Sequence, residues 1–280
     1  MSFMKDIKDK LILITGGASG IGKLMAFAFA EKQARVIIWD IDVDSIKTIE
    51  NEALEKSLFI KGMICDVSNR ENIYSEAKKL AAAYGPVDIL VNNAGIVSKK
   101  PVNPAPGPLF LSIPDESIIK TIDINVLSYF WTCKAFLPYM VERNSGHIIT
   151  ISSAAGLIGV NGLLDYCAGK FAVFGFNESL RMELNRMKSA VKTTVVCPFF
   201  INTGMFEGVK TRFSFLLPIL KKEYATKKIV SAVLKNKKQL IMPRFVHTTF
   251  ILRLLPPAFL DWAANFFGIS HSMDHFKGRL

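Results

Sequence analysis

Long apolar runs are missing from this chain. Nowhere do about 18 apolar residues follow one another, which excludes a conventional membrane-spanning helix. Cysteine is scarce: Cys65, Cys133, Cys167 and Cys197 are scattered with no C-x-x-C spacing. That pattern argues against a zinc centre and against a disulfide framework, and it suits a reducing compartment. Cys167 reads as a small buried thiol, with a reactive thiol beside Tyr166 as the alternative. No repeat period, collagen pattern or coiled-coil heptad is present. Met1 to Lys10 is short and charged and lacks the apolar core of a signal peptide, and Leu11 to Ile14 is too brief to supply one. The expectation is a cytoplasmic protein, with peripheral attachment to a membrane or lipid surface left open.

Apolar residues make up half of the 280, enough for one large α/β domain. The net charge of +11 is unevenly placed. Between Glu207 and Arg253 stand eleven Lys/Arg and two acids, so this region carries +9 of it.

Lys10 to Gly22 reads K-L-I-L-I-T-G-G-A-S-G-I-G. A buried strand, a glycine-rich turn and an apolar helix from about Ile21 to Lys32 form a phosphate site of the dinucleotide kind. The spacing is T-G-x-x-x-G-x-G, with Gly16, Gly20 and Gly22, rather than G-x-G-x-x-G. A second strand, Arg35 to Asp40, ends in an acid about 20 residues after the glycines, where a carboxylate accepts from ribose hydroxyls and repels a 2′-phosphate. NAD is favoured over NADP; capping a helix is the alternative role for Asp40. Strands are expected at Leu58–Cys65 and Val87–Val91, and helices at Asp42–Lys56 and Asn69–Tyr84. Asp66 either bonds an adenine amino group or caps the helix that follows. Asn92-Asn93-Ala94-Gly95 places small and polar residues at a strand end, where parallel sheets bind ligands. The alternation predicts a Rossmann-type, doubly wound parallel sheet with helices on both faces, in a single domain spanning 1–280.

The loop 96–113 holds four prolines and a glycine and is either a substrate cover or a surface insertion. Pro114 to Val141 reads as one long helix, within which Asn125 competes for backbone hydrogen bonds. Gly146 to Ser152 and Lys192 to Cys197 read as further strands. Tyr166 and Lys170, four residues apart, share one face of a helix running to about Arg186. A free phenol has a pKa near ~10, and a neighbouring ammonium lowers it. The pair is therefore a tunable acid/base, or simply a surface Tyr and Lys.

Thr15-Gly16-Gly17-Ala18-Ser19-Gly20-Ile21-Gly22, Asn92-Asn93-Ala94-Gly95 and Tyr166-Cys167-Ala168-Gly169-Lys170 together resemble the signatures of short-chain dehydrogenases/reductases. The likeness runs from about Lys8 to Met205. It implies a catalytic set of Asn125, Ser153, Tyr166 and Lys170. Ser153 stands thirteen residues before Tyr166, the spacing of the family's catalytic serine. The matching Asn of the family sits at a helix kink and holds a water leading to the lysine. The nucleotide is expected at Gly16, Ser19, Gly20, Ile21, Gly22, Asp40, Asp66, Val67, Asn93, Ala94, Gly95, Tyr166, Lys170, Pro198 and Thr203, with no metal. Two departures stand out: Phe199 replaces a common glycine, and Gly169 replaces a serine. Val196 to Gly208 is similar to the subgroup of epidermal retinol dehydrogenases and lipid-droplet 17β-hydroxysteroid dehydrogenases. The resemblance implies NAD-dependent oxidation or reduction of a lipophilic alcohol or carbonyl, on a retinoid, steroid or long-chain alcohol, by a homodimer or homotetramer.

Residues 199–225 are expected to form a substrate lid, and 245–280 an apolar and basic extension. That extension suits an anionic membrane surface or a buried oligomer contact. No nucleic-acid motif is present. A 3-oxoacyl or other small-carbonyl reductase, or a non-catalytic membrane-associated scaffold, are the alternative functions.

Overall fold

The computed structural model of the protein describes residues 6–98 and 108–276. The first half runs β1 (Leu11–Thr15), α1 (Gly20–Ala30), β2 (Arg35–Asp40), α2 (Val43–Glu55), β3 (Ile60–Ile64), α3 (Arg70–Tyr84) and β4 (Ile89–Asn92). The second adds α4 (Asp115–Ile122), α5 (Ser128–Glu142), β5 (His147–Ile151), α6 (Leu164–Arg186) and β6 (Lys192–Pro198). Then follow β7 (Ile201–Asn202), β8 (Leu220–Lys221), α7 (Lys222–Leu234), β9 (Gln239–Met242), α8 (Thr248–Leu252) and α9 (Pro257–Phe266).

Seven strands pair in parallel in the order β3-β2-β1-β4-β5-β6-β9. Strands β1, β2 and β4 read as near-continuous apolar runs because both faces of the sheet are covered there. In β1, Ile12 and Ile14 pack under α1, α2 and α7, while Leu11 and Leu13 pack under α3, α5 and α6. Strand order reverses between β1 and β4, and such a switch point opens a crevice at the strands' C-terminal ends.

The helix expected from Pro114 to Val141 is continuous in direction but holds a π turn at Asp123–Leu127, which contains Asn125. Helix α7 and strand β9 were not foreseen. Half of the proline-rich loop, residues 99–107, lies outside the described residues, and Leu109–Ser112 forms a short 3₁₀ turn. The stretch 199–225 does not form a free lid throughout. Its β7 and β8 pair with each other, and its last residues begin α7.

Helix α1 meets the sheet at very short range. A Cβ on Gly22 would lie 2.1 Å from the Gly16 carbonyl oxygen and 2.8 Å from Asn93 Nδ2. Overpacking of this kind costs about 1–3 kcal/mol. Gly22→Ala is therefore expected to lower stability in urea unfolding by about that amount; an unchanged midpoint would contradict the packing.

Candidate active site

The glycine turn sits over the β1–β4 crevice. Gly16 and Gly20 take left-handed φ of 62° and 54°, a region that favours glycine. Gly16 also lies against Ala94, whose Cα would be 2.9 Å from an added Cβ. Thr15 and Asn93 lock the turn to the end of β4. Thr15 Oγ1 accepts from the amides of Asn93 and Ala94 at 3.0 and 3.1 Å. Asn93 Nδ2 donates to the carbonyls of Thr15 and Gly16 at 2.9 and 3.0 Å. Asn92 has a purely internal role, accepting from Thr132 Oγ1 at 2.8 Å. Helix α1 opens with no acidic residue in its first turn, so its positive end is free to attract phosphate.

Asp40 stands at the end of β2. Its Oδ2 accepts from the Ala18 amide at 2.9 Å, and its Oδ1 from the amides of Ile41 and Asp42 at 2.8 and 3.3 Å. Roughly one of the four acceptor directions of a carboxylate stays open for a ribose hydroxyl. Helix α2 is capped by Asp42, not Asp40. Likewise Asn69, not Asp66, caps α3. Asp66 instead accepts from the amide and hydroxyl of Ser68 at 2.9 and 2.7 Å. Asp40, Asp66 and Val67 thus stand at the sheet's C-terminal edge, outside the wall of the deeper cleft.

That cleft, about 860 Å³ out to open solvent, is lined by Gly16, Ser19, Gly20, Ile21, Gly22, Asn93, Ala94, Gly95, Ser153, Tyr166, Lys170, Pro198 and Thr203, among others. Thr203 reaches over from the loop after β6, its Cβ 3.7 Å from where a Gly20 Cβ would sit. The left-handed glycines, the acid-free start of α1 and the carboxylate ending β2 suit a dinucleotide. Among the described residues, no cluster of three or more His, Cys, Asp or Glu could hold a metal.

Tyr166 and Lys170 lie on α6, and both are buried. Lys170 Nζ donates to the Ile151 carbonyl at 2.9 Å and stands 5.6 Å from the ring centroids of both Tyr129 and Tyr166. Tyr129, which sequence reasoning missed, shares that acceptor, donating to Ile151 O at 3.1 Å and to Ala94 O at 3.2 Å. Its signal was the spacing Asn125-x-x-x-Tyr129, which puts both on one helix face. Burial holds the Tyr166 phenol above its ordinary range, opposed by a hydrogen bond with Ser153. The sequence led us to expect that Lys170 would lower this phenol. Desolvation outweighs any such effect. Burial also brings the Lys170 ammonium down to about 8.

Ser153 N-caps a short turn, accepting from Ala155 N at 3.1 Å. Asn125 does not line the cleft. Its side chain clamps Ile96, accepting from the amide and donating to the carbonyl, both at 2.8 Å. Gly169 lets α6 approach this π turn: an added Cβ would meet Val126 Cγ2 at 3.3 Å and Asn125 Cβ at 3.5 Å. Cys167 is buried, and that burial pushes its thiol up to about 11, which makes it inert.

A second cavity adjoins the first, about 700 Å³ out to open solvent. Ser153, Tyr166, Phe199 and Phe206 belong to both cavities. Phe200 and Phe206 contact edge to face at 5.1 Å, and Phe206 meets Tyr166 at 5.7 Å. The far wall comes from the C-terminal segment, including Phe245, Thr249, Leu252, Ala263 and Phe267. The expected extension is therefore a wall of the pocket.

A dinucleotide crevice joined to an apolar cavity through a buried Tyr–Lys pair defines an oxidoreductase that uses a nicotinamide nucleotide. The chain belongs to the short chain dehydrogenase family, whose model matches residues 10–212. It is 42% identical over 98% of its length to short-chain dehydrogenase/reductase family 16C member 6 of Bos taurus, covering 85% of that protein. Human epidermal retinol dehydrogenase 2 is 43% identical over 97% of the chain and 86% of its own length. Human retinol dehydrogenase 10 is 38% identical over 90% and 80%. A Burkholderia phymatum short chain dehydrogenase/reductase solved with NAD shares the fold, with a TM-score of 0.77 at 22% identity over 90% of this chain and 95% of that one. A metagenomic short-chain oxidoreductase solved with NADP gives 0.68 at 25% identity, over 85% and 97%.

Lys170 also sets a pH signature. Its folded value is about 8 against an ordinary 10.5, so between these the unfolded chain binds more protons and stability rises with pH. Below about 8 the burial penalty acts in full. Lys170→Met is expected to stabilise the protein at pH 7 by on the order of 1–3 kcal/mol, and the difference should shrink as pH climbs toward 10.5. A variant less stable than wild type at pH 7 would contradict this.

Proposed function

We propose that the protein moves hydride between NAD and the hydroxyl or carbonyl carbon of a lipophilic substrate, a retinoid, steroid or long-chain alcohol. The meeting of the two cavities at Ser153 and Tyr166 carries this reading. A largely apolar pocket with a few converging polar groups is the usual form of such a site. Relatives named as retinol dehydrogenases support the substrate class.

Bound at the glycine turn, NAD supplies the hydride acceptor or donor. Gly16, Ser19, Gly20, Ile21 and Gly22 hold its phosphates, and Asp40 a ribose hydroxyl. Asp66 and Val67 serve the adenine end, and Asn93, Ala94 and Gly95 the floor between the halves. Pro198 and Thr203 serve the nicotinamide end. Ser153 donates to the substrate oxygen and fixes its direction. In reduction the neutral Tyr166 phenol, kept protonated by burial, gives its proton to the carbonyl oxygen. In oxidation the phenolate takes the hydroxyl proton, and positive charge nearby, Lys170 included, favours that form. Asn125, in the π turn and with its side chain clamped on Ile96, supports a water relay to Lys170 in this proposal. Of the stretch 199–225, the part ahead of α7 covers the nicotinamide end as a lid.

We also propose assembly as a dimer or tetramer through α5 and α6, where Phe130 and Phe176 pair at 4.5 Å and Phe130 and Met182 are exposed.

Tyr166→Phe is expected to cut turnover about 10²–10⁴-fold with NAD affinity retained; wild-type turnover would remove the mechanism. Asp40→Ala should shift the ratio of NAD to NADP use toward NADP, measured as kcat/KM with each; an unchanged ratio would show that Asp40 does not read the ribose.

A further inference from the structure

The outer side of the C-terminal wall is unusual. From Arg253 to Phe259 every residue is exposed, and the six after Arg253 are all apolar: Leu254-Leu255-Pro256-Pro257-Ala258-Phe259. Leu254 is 86% exposed and Trp262 62%. Soluble monomers rarely leave such a contiguous apolar surface in water. Pro256 caps α9 and Pro257 opens it at the first helical position, where a missing amide is tolerated, so the pair closes the turn after α8. Trp262 stacks on Phe266 at 5.5 Å on the same outer side, and an exposed tryptophan is well suited to a headgroup layer.

The cations around this surface point to its occupant. Arg212 donates to the Phe266 carbonyl at 3.1 Å and lies over the rings of Phe213 and Phe266, fixing an exposed guanidinium beside α9. Arg253 is tethered to the Leu157 carbonyl at 2.8 Å at the end of α8. Arg244 is exposed just ahead of α8. Asp261 is the one acid between Arg244 and Ile269. Fixed cations beside exposed apolar side chains match an anionic lipid surface, with phosphates above and acyl chains below.

We infer that the α8–α9 turn docks the protein on an anionic phospholipid bilayer. The inner sides of the same helices, at Leu252, Ala263 and Ala264, line the apolar cavity. One helix layer therefore separates the docked lipid from the substrate pocket, and a lipophilic alcohol can pass from bilayer to pocket without crossing water. Among the described residues no helix is long and apolar enough to cross a membrane. This second step rests on the proposed function, but docking does not.

The test is flotation of the full chain with liposomes, in parallel with NAD binding. Wild type should float with phosphatidylcholine vesicles holding about 30% phosphatidylserine, less with phosphatidylcholine alone, and less as salt rises. Leu254→Asp and Trp262→Asp should each cut the bound fraction at least about fivefold while NAD binding and circular dichroism stay unchanged. No flotation of wild type, or undiminished flotation of both variants, would overturn the inference. So would variants that float normally but lower the molecular mass by sedimentation, since the surface would then join copies of the chain. NAD binding reports independently on the nucleotide site, so its failure is distinguishable from failure of docking.

Discussion

Burial of the Lys170 ammonium between the faces of Tyr129 and Tyr166, on the Ile151 carbonyl, is the contact that orders the rest of the site. An unpaired buried cation is costly, and here it rests on one hydrogen bond and two aromatic faces. The surroundings are shaped to tolerate it. Gly95 leaves room for Nζ at 3.5 Å from where a Cβ would be, and Ser152 Oγ ties the Lys170 carbonyl at 2.8 Å. The strain between burial and charge brings the ammonium close to the neutral range, where a group can take and return protons. Stability lost at this one residue is consistent with a site built for chemistry rather than for packing.

The same helix sets the geometry of both cavities. Tyr166 points where the nucleotide cleft and the apolar cavity meet, and Asp165 beside it anchors the first turn of α6 by accepting from Ser98 Oγ at 2.6 Å. Phe199 and Phe200, packed edge to face at 4.7 Å, form an aromatic wall where the cleft meets the apolar cavity. The C-terminal helices complete that wall from within and face outward with apolar side chains. One stretch of chain thus gives the pocket its greasy lining and the molecule its greasy surface.

Much of this was legible in the residues. Strands β1, β2, β5 and β6 announce themselves as short apolar runs, and the glycine turn, the Asn-Asn-Ala-Gly end of β4 and the Tyr–Lys spacing locate the crevice. Strand β9 was hidden because Gln239-Leu-Ile-Met242 is four residues long, next to three lysines within four positions. Helix α7 was hidden by its own lysines, Lys222, Lys227 and Lys228, which read as a solvated surface although Ile229, Val230 and Val233 face the core. The π turn at Asn125 has no sequence period of its own. The protonated state of Tyr166 could not be read from spacing at all, because desolvation depends on what the fold places around the phenol, and that came from Phe206 and the C-terminal segment. Capping stayed open as an alternative at Asp40 and Asp66 because several acids and amides stand within two or three residues of each helix start, and only backbone direction decides among them.

The central claim, that a hydride site opens onto a large apolar cavity, is tested most directly by a coupled assay of purified protein and NAD against a panel of alcohols, following nicotinamide absorbance. The site described here predicts NAD reduction with retinol, hydroxysteroids or long-chain alcohols at a kcat/KM well above that for short water-soluble alcohols. Turnover restricted to the short alcohols, or absent for the whole panel, would contradict it.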